Sequence, residues 1–365
     1  MTAIEADVAS LARLVSRYRR RVALATGLGV CLCTALALIA LGEGAVSIPP
    51  QQVAAILWEF VLGWTSSPQD RETLVVTGIR LPRVLLGLEI GAALAVSGAL
   101  MQGLFRNPLA DPGLIGVSSG AAFAAAVTLV LGDRFLGDTV GKLPFAILPA
   151  SAFCGGVAAT LVIYTIATRQ GRTSMATMLL AGLALGALAG AATGLLSYVS
   201  DDKQLRDLTF WSLGNLNGGT WSKLGAVSFI TLPLLCAAPF LGRGLNALSF
   251  GEAEAFHLGF RVEWIKAATI FLVALAVGAS VASAGLIGFI GIVAPHIVRL
   301  AVGADHRVLL PLSALFGAAL LVGADTLART LLAPAELPVG ILTALLGAPF
   351  FLWLLLRRAN GSFVA

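Results

Sequence analysis

Charge is what this sequence has least of. Asp, Glu, Lys and Arg make up 12% of its 365 residues against 58% hydrophobic residues, and mean hydropathy is +0.92. Soluble domains carry about a quarter charged residues, so a soluble protein built from this chain would have no surface to offer water. Cysteine is sparse too. Cys31, Cys33, Cys154 and Cys236 all fall inside apolar runs, where thiols pack as small hydrophobes. The Cys31-Leu32-Cys33 spacing suits neither a disulfide framework nor a metal site. The chain contains no P-loop, no Walker aspartate segment and no nucleophile–base pair, so it carries none of the common motifs for chemistry of its own. Basic residues outnumber acidic ones, 24 to 19. They form no stripe interleaved with aromatics, which excludes a nucleic-acid partner. Instead they sit at the ends of apolar runs, as membrane topology requires.

The runs themselves are what the chain has in abundance. A helix crossing lipid needs about 20 apolar residues, and these runs are longer and more continuous than the roughly ten alternating residues of a barrel strand. The fold class is an all-α polytopic membrane protein. Residues 1–21 are polar and end in Arg17, Arg19, Arg20 and Arg21, ahead of an apolar run at 22–42. A signal peptide has an apolar core of only about 7–15 residues, so this run reads as an uncleaved first span. The leading LARLVSRYRRR fits either an amphipathic surface helix or a solvated basic tail. Residues 43–79, with Pro49-Pro50, Trp58, Phe60, Trp64 and Asp70-Arg71-Glu72, read as an external loop with a short interfacial helix.

Spans two to six are expected at 82–104, 113–132, 144–168, 175–199 and 223–242. A polar loop with Asp133, Arg134, Asp138 and Lys142 precedes the fourth, and a tight basic turn at 169–172 precedes the fifth. Residues 200–222 are too polar to cross. No Asp, Glu, Lys or Arg occurs from 267 to 298, a stretch too long for one span and too short for two full ones. The break is expected at 285–291, GLIGFIG. Irregular backbone at membrane depth survives only where protein or a water-filled cavity satisfies it. Spans nine and ten follow at 308–328 and 338–356, before Arg357-Arg358.

Ten spans place both termini on one side, and placing them inside puts most of the 24 Lys and Arg residues in inner segments, as the positive-inside rule asks. The tetrapeptide GLIG opens span three (113–116) and again span eight (285–288). These are equivalent positions of a five-plus-five repeat, whose odd-numbered halves run in opposite orientations, a transporter signature. Span two carries a small face of Gly87, Gly91, Ala92, Ala95, Ser97, Gly98 and Ala99, suited to close helix approach or to lining an open path. The deep ionisable residues are Glu89, His296 and Asp325, the candidates for an ion relay. Asp325 precedes Arg329 by four residues and reads as its local ion-pair partner. His296 reads as a capped histidine at an inner end. Glu89 stays open between a cavity-facing and a snorkelling role. Uphill transport by such a chain draws on an ion gradient or on a separate ATPase. Within 243–266, the segment LNALSFGEAEAFHLGF reads as a short helix from Glu252 to Leu258, ended by Gly259, and suits a groove on another protein.

Seven ordered segments carry a family resemblance: RLPR (80–83), GLFRNPLADPGLIGVSSG (103–120), LTFWSLGNLNGGTW (208–221), the loop at 246–259, GLIGFIGIVAPHIVRL (285–300), DHRVLLP (305–311) and AELPVGILTALLGAPFFLWLLL (335–356). Together they resemble the FecCD/BtuC-type permease subunit of type II ABC importers over about residues 72–358, most closely the haem branch. Residues 1–70 lie outside the match. The resemblance implies a BtuC-like fold of about ten transmembrane helices per subunit in a five-plus-five inverted repeat. It divides the chain into a cytoplasmic basic segment (1–21), a ten-span permease domain (22–358) with a cytoplasmic coupling loop (243–262), and a short cytoplasmic tail (359–365).

It implies a homodimer in the lipid of a bacterial inner membrane, multi-pass, with both termini cytoplasmic. It also implies two ATP-binding cassette subunits and a periplasmic haem-binding protein. No cofactor is bound permanently; the partner subunit uses ATP, and haem is the cargo. A ferric siderophore or cobalamin is the alternative cargo, and a gradient-driven secondary transporter the more distant alternative. Arg80, Arg83 and Arg329 match the family's docking arginines for the binding protein, and the topology puts them on the outer face. Exposed pairs there are worth under about 1 kcal/mol each and set orientation and on-rate. Asn246, Leu248, Ser249, Gly251, Glu252, Ala255, Leu258 and Gly259 match the ATPase coupling loop. Thr173 and Ser174 match the cytoplasmic gate, with Met178 and Tyr198 on the pore-lining fifth span. His257, His296 and His306 all fall toward the inner half, so none offers an axial haem ligand at the entrance. A path that must release its cargo needs weak sites.

Overall fold

Long apolar runs fold as helices because lipid leaves each backbone N–H and C=O to be satisfied within its own segment. A computed structural model of the chain describes residues 3–44, 47–63, 71–136, 144–333 and 335–359. Among the described residues, eight helices are long and apolar enough to cross a membrane, and two shorter apolar helices cover Val117–Gly132 and Ile290–Val302. Those two occupy the third and eighth positions of the expected ten.

In chain order the helices are α1 (Ala3–Gly42), α2 (Pro50–Leu62), α3 (Arg71–Leu104), α4 (Val117–Leu136), α5 (Pro144–Ala167), α6 (Met175–Val199), α7 (Asp202–Ser212) and α8 (Trp221–Ser249). They continue as α9 (Glu252–His257), α10 (Val262–Ala284), α11 (Ile290–Val302), α12 (His306–Thr330) and α13 (Val339–Ala359). A 3-10 turn at Pro112–Ile115 leads into α4, and a small hairpin, β1 (Thr168–Arg169) with β2 (Arg172–Thr173), joins α5 to α6.

The packing repeats between halves. α3 lies against α12 as α10 lies against α5; α4 packs on α5 as α11 packs on α12; α3 meets α11 as α10 meets α4. Each pair maps onto the other when spans two, three and four exchange with seven, eight and nine, which is the five-plus-five arrangement. α3 is the centre, with 89% of its most apolar 18-residue window buried. Its small face is used for contact: a Cβ at Gly98 would overlap the carbonyl of Gly291 on α11, and one at Gly91 the carbonyl of Gly317 on α12. The small face therefore packs within the subunit and does not line an open path.

Several boundaries differ from expectation. α1 is one 40-residue helix, about 60 Å long at 1.5 Å per residue, so the basic segment prolongs the first span without a break at residue 21. α3 starts at Arg71, not 82, and its first turns include a π-helical stretch over Val75–Arg80. α8 runs on to Ser249 through Pro233 and Pro239, which shortens the loop expected from 243. Cys31, Cys154 and Cys236 are exposed on helix surfaces; only Cys33 reaches inward, its thiol donating to the Leu315 carbonyl at 3.0 Å.

The two GLIG turns match in place but not in conformation. The first has its last glycine left-handed (Gly116, φ 79°), the second its first (Gly285, φ 71°). The loop expected at 43–79 does hold a short helix, α2, with exposed Trp58 and with Phe60 stacked on Trp221 at 6.0 Å. Trp64, Asp70, Asp138, Lys142 and the tail at 360–365 lie outside the described residues.

Candidate functional sites at the two ends of the bundle

At one end, α1 stops at Gly42 and leaves its last carbonyls without intrahelical donors, where a cation is favoured. Arg80 Nη1 donates to the carbonyls of Leu41 at 2.7 Å and Gly42 at 2.8 Å. Arg329 Nη2 donates to Ala40 at 3.1 Å, and its Nη1 to Glu43 at 3.4 Å. Arg83 forks onto Asp325, Nε to Oδ2 at 3.1 Å and Nη2 to Oδ1 at 2.8 Å, and reaches Glu336 at 3.0 Å. Asp325 also lies 3.3 Å from Arg329 Nε, the expected i,i+4 partner. The fork from Arg83 was not foreseen, because it comes from a helix distant in sequence.

The three expected docking arginines thus come together, but Arg80 and Arg329 are only 5% and 7% exposed. The expectation of exposed docking cations is corrected. A buried cation needs partners, and the end of α1 and Asp325 supply them. Among the carboxylates bonded to these arginines, Glu336 is the exposed one, its side chain 37% exposed.

Glu89, on α3, is also resolved. Its carboxylate is buried and accepts hydrogen bonds from Ser228 Oγ at 2.6 Å and from Thr231 Oγ1, both on α8. It neither snorkels nor faces a cavity; it ties two helices together.

At the opposite end, α9 forms as expected, bracketed by Gly251 (φ 130°) and Gly259 (φ 86°). Of the expected coupling residues, Leu248, Gly251 and Ala255 are buried, while Ser249, Glu252, Leu258 and Gly259 are exposed. Phe250, Phe256 and Leu258 are 75%, 69% and 65% exposed, an apolar knob with nothing covering it in the subunit. Asn246 sits one turn before, its Nδ2 donating to Asp305 at 2.6 Å and its Oδ1 accepting from the His306 backbone N–H at 2.9 Å.

Beside α9 lies the turn at Thr173 and Ser174, the expected gate. Thr173 is 4% exposed, and its main chain is held from both sides. Its N–H donates to Glu263 Oε2 at 2.9 Å, and its carbonyl accepts from Lys266 Nζ at 2.9 Å. Ser174 is exposed and caps α6, its Oγ accepting from the Thr177 N–H at 3.2 Å. Met178 is 0% exposed, packed in the core. That corrects its expected place on the path. Tyr198, at the far end of α6, is 87% exposed.

Between them α6 is nearly bare, with 6% of its apolar window buried. Gly182, Gly186, Gly190 and Gly194 recur every fourth residue, and a Cβ at Gly190 or Gly194 would meet nothing. Small residues at this spacing let membrane helices approach closely, and the spacing is visible in the sequence itself. Among the described residues, no cluster of three or more His, Cys, Asp or Glu side chains could hold a metal ion.

Comparison with known proteins agrees with the fold. The FecCD transport family covers residues 32–357. The hemin transport system permease protein HmuU of Yersinia pestis is 46% identical over 331 residues, 88% of this chain and 93% of that protein. The cobalamin import system permease protein BtuC of Halobacterium salinarum is 44% identical over 291 residues, 80% and 75% of the two chains. The vitamin B12 import system permease protein BtuC of Klebsiella pneumoniae is 41% identical over 353 residues, 96% and 98%. A solved metal-chelate type ABC transporter in an inward-facing conformation superposes with a TM-score of 0.77 at 34% identity, covering 92% of this chain and 99% of that one. With ten apolar helices in two matching halves and a family match along nearly its whole length, this multi-pass membrane protein belongs to the FecCD transport family, as the permease subunit of an ABC importer.

Proposed function

We propose that the chain forms a homodimer in the bacterial inner membrane, both termini cytoplasmic, and passes haem along a central path between the two copies. Two ATP-binding cassette subunits hydrolyse ATP at the α9 end, and a periplasmic haem-binding protein delivers cargo at the arginine end. The observation that carries this reading is the bare helix α6. It is as apolar as the buried α3, has 6% of its apolar window covered, and runs from the gate turn to Tyr198. A second copy across a pseudo-central path gives its open glycine face a partner. The uncovered Phe250, Phe256 and Leu258 suit a groove on the ATPase subunit.

Haem is favoured as cargo because the relative named for hemin shares 46% identity, against 44% and 41% for the cobalamin and vitamin B12 relatives. At the arginine end, Arg83 is the rim residue, its side chain 12% exposed beside Glu336. Arg80 and Arg329 join the docking only by exchanging α1 carbonyls for carboxylates of the arriving protein.

The test is uptake by proteoliposomes holding the permease with its ATPase subunits, supplied with binding protein loaded in turn with haem, a ferric siderophore or cobalamin. ATP-dependent uptake of haem alone is expected. Uptake of another ligand would replace the cargo and keep the machine, whereas uptake with no ATPase subunit present would overturn the importer reading.

A further inference from the structure

Lys266 is 2% exposed, among the most deeply buried large side chains of the chain, and it stands at the foot of α10. An ammonium has three N–H donors and no acceptor. Here all three are used: Glu252 Oε2 at 2.7 Å, Glu263 Oε1 at 3.0 Å and the Thr173 carbonyl at 2.9 Å. These acceptors belong to three different parts of the molecule. Glu252 opens the coupling helix α9, Glu263 lies in the first turn of α10, and Thr173 is the gate turn that leads through Ser174 into α6. Glu263 closes the circuit, since its other oxygen accepts the Thr173 N–H. Lys266 and Glu263 together thus hold both polar main-chain groups of the gate residue.

We infer that Lys266 is a positioning residue that carries movement of α9 to the gate turn and so couples ATP-driven displacement to opening of α6. The inference rests on the importer reading. Three features of the geometry support it. The link is asymmetric: the Thr173 side is buried, while the Glu252 side chain is 48% exposed and travels with the knob that a partner would grip. The ammonium has no spare donor, so it cannot follow Glu252 without loosening another bond; a shift of about 1 Å takes a 2.7 Å contact beyond hydrogen-bonding range. Finally, a buried ion pair is a weak stabiliser compared with apolar packing, and its best-attested use is to fix one arrangement of elements against another.

The experiment compares haem uptake with ATP hydrolysis in proteoliposomes of the full transporter. Lys266→Met is expected to lower the haem imported per ATP hydrolysed about tenfold, Lys266→Arg to restore part of it, and Glu252→Gln to lower it about threefold. Uptake and hydrolysis falling in the same proportion in Lys266→Met, with no rescue by arginine, would overturn the inference and leave a structural role. So would an unchanged ratio. If Lys266→Met does not assemble, Glu252→Gln decides, because it removes charge at the exposed end of the link; an unchanged ratio there overturns the inference. Failure of the unaltered protein to import haem with ATP would overturn haem as the cargo, not the link through Lys266, and is told apart by appearing before any substitution.

Discussion

Helices α3 and α6 have the same mean hydropathy, 2.0 over their most apolar windows, yet 89% of one window is buried and 6% of the other. In water that contrast would be impossible to sustain, because apolar burial sorts helices by hydrophobicity. In lipid the tails are as apolar as leucine, so hydropathy says that a helix crosses but not what it touches. What separates the two is the surface opposite their small residues. Gly91 and Gly98 of α3 meet the backbone of α12 and α11, whereas Gly190 and Gly194 of α6 meet nothing within the subunit. The same residue type is spent on the subunit's own core in one helix and left for an outside partner in the other.

The sharpest way to break this contrast is to place the same bulk on both helices. Gly98→Leu drives a side chain into the Gly291 carbonyl, a backbone group that cannot swing aside. Overpacking typically costs about 1–3 kcal/mol, occasionally more, and a backbone clash belongs at the upper end. The expected outcome is loss of a monodisperse peak in detergent and a markedly lower melting temperature. Asp325→Asn comes next. It strips the carboxylate from beneath Arg83 and Arg329, and removing one partner of a buried pair costs about 3–5 kcal/mol, although the carbonyl contacts of Arg329 soften the loss. Thermal unfolding of the purified subunit reads it directly, with Glu336→Gln at the exposed rim as the control, expected within about 1 kcal/mol of the unaltered protein.

Gly190→Leu carries the contrast to α6. The subunit should fold and melt as before, while the dimer weakens about tenfold or more, measured as the monomer fraction on dilution in detergent. If Gly190→Leu unfolds the subunit as Gly98→Leu does, α6 is packed within its own chain and the distinction between the two helices fails.

Much of this was legible in the sequence because lipid imposes strict rules. The lengths of the apolar runs located all ten helices, and the uncharged stretch at 267–298 exposed the break between α10 and α11. Gly259 marked the end of α9. What was not legible is which group meets which across the bundle. RLPR announced two arginines at a helix start, but nothing local says that Arg80 turns back to cap α1 or that Arg83 reaches Asp325, 242 residues away. The same is true of Lys266, which read as the last charge before a span and proved to be bonded to two segments beyond its own helix, the start of α9 and the turn at Thr173. Helix ends were misjudged where polar residues continue a helix past the apolar run, as Arg243 and Asn246 do in α8.

Glu89→Gln should have the smallest effect and tests the contrast from inside α3. An amide keeps one oxygen to accept from a hydroxyl, and its NH2 can donate to the other, since serine and threonine oxygens accept as well as donate. The loss is that of a charge-assisted bond replaced by a neutral one, about 1 kcal/mol. ATP-dependent haem uptake should stay within twofold, and dissipating the proton gradient should change nothing in either protein. A gradient-driven carrier makes the opposite demand, because a carboxylate that moves protons cannot be replaced by an amide. Glu89 is bonded to α8 from the buried helix, so collapse of uptake in this variant would put the transport path along α3. It would then be the buried helix, not the open one, that does the carrying.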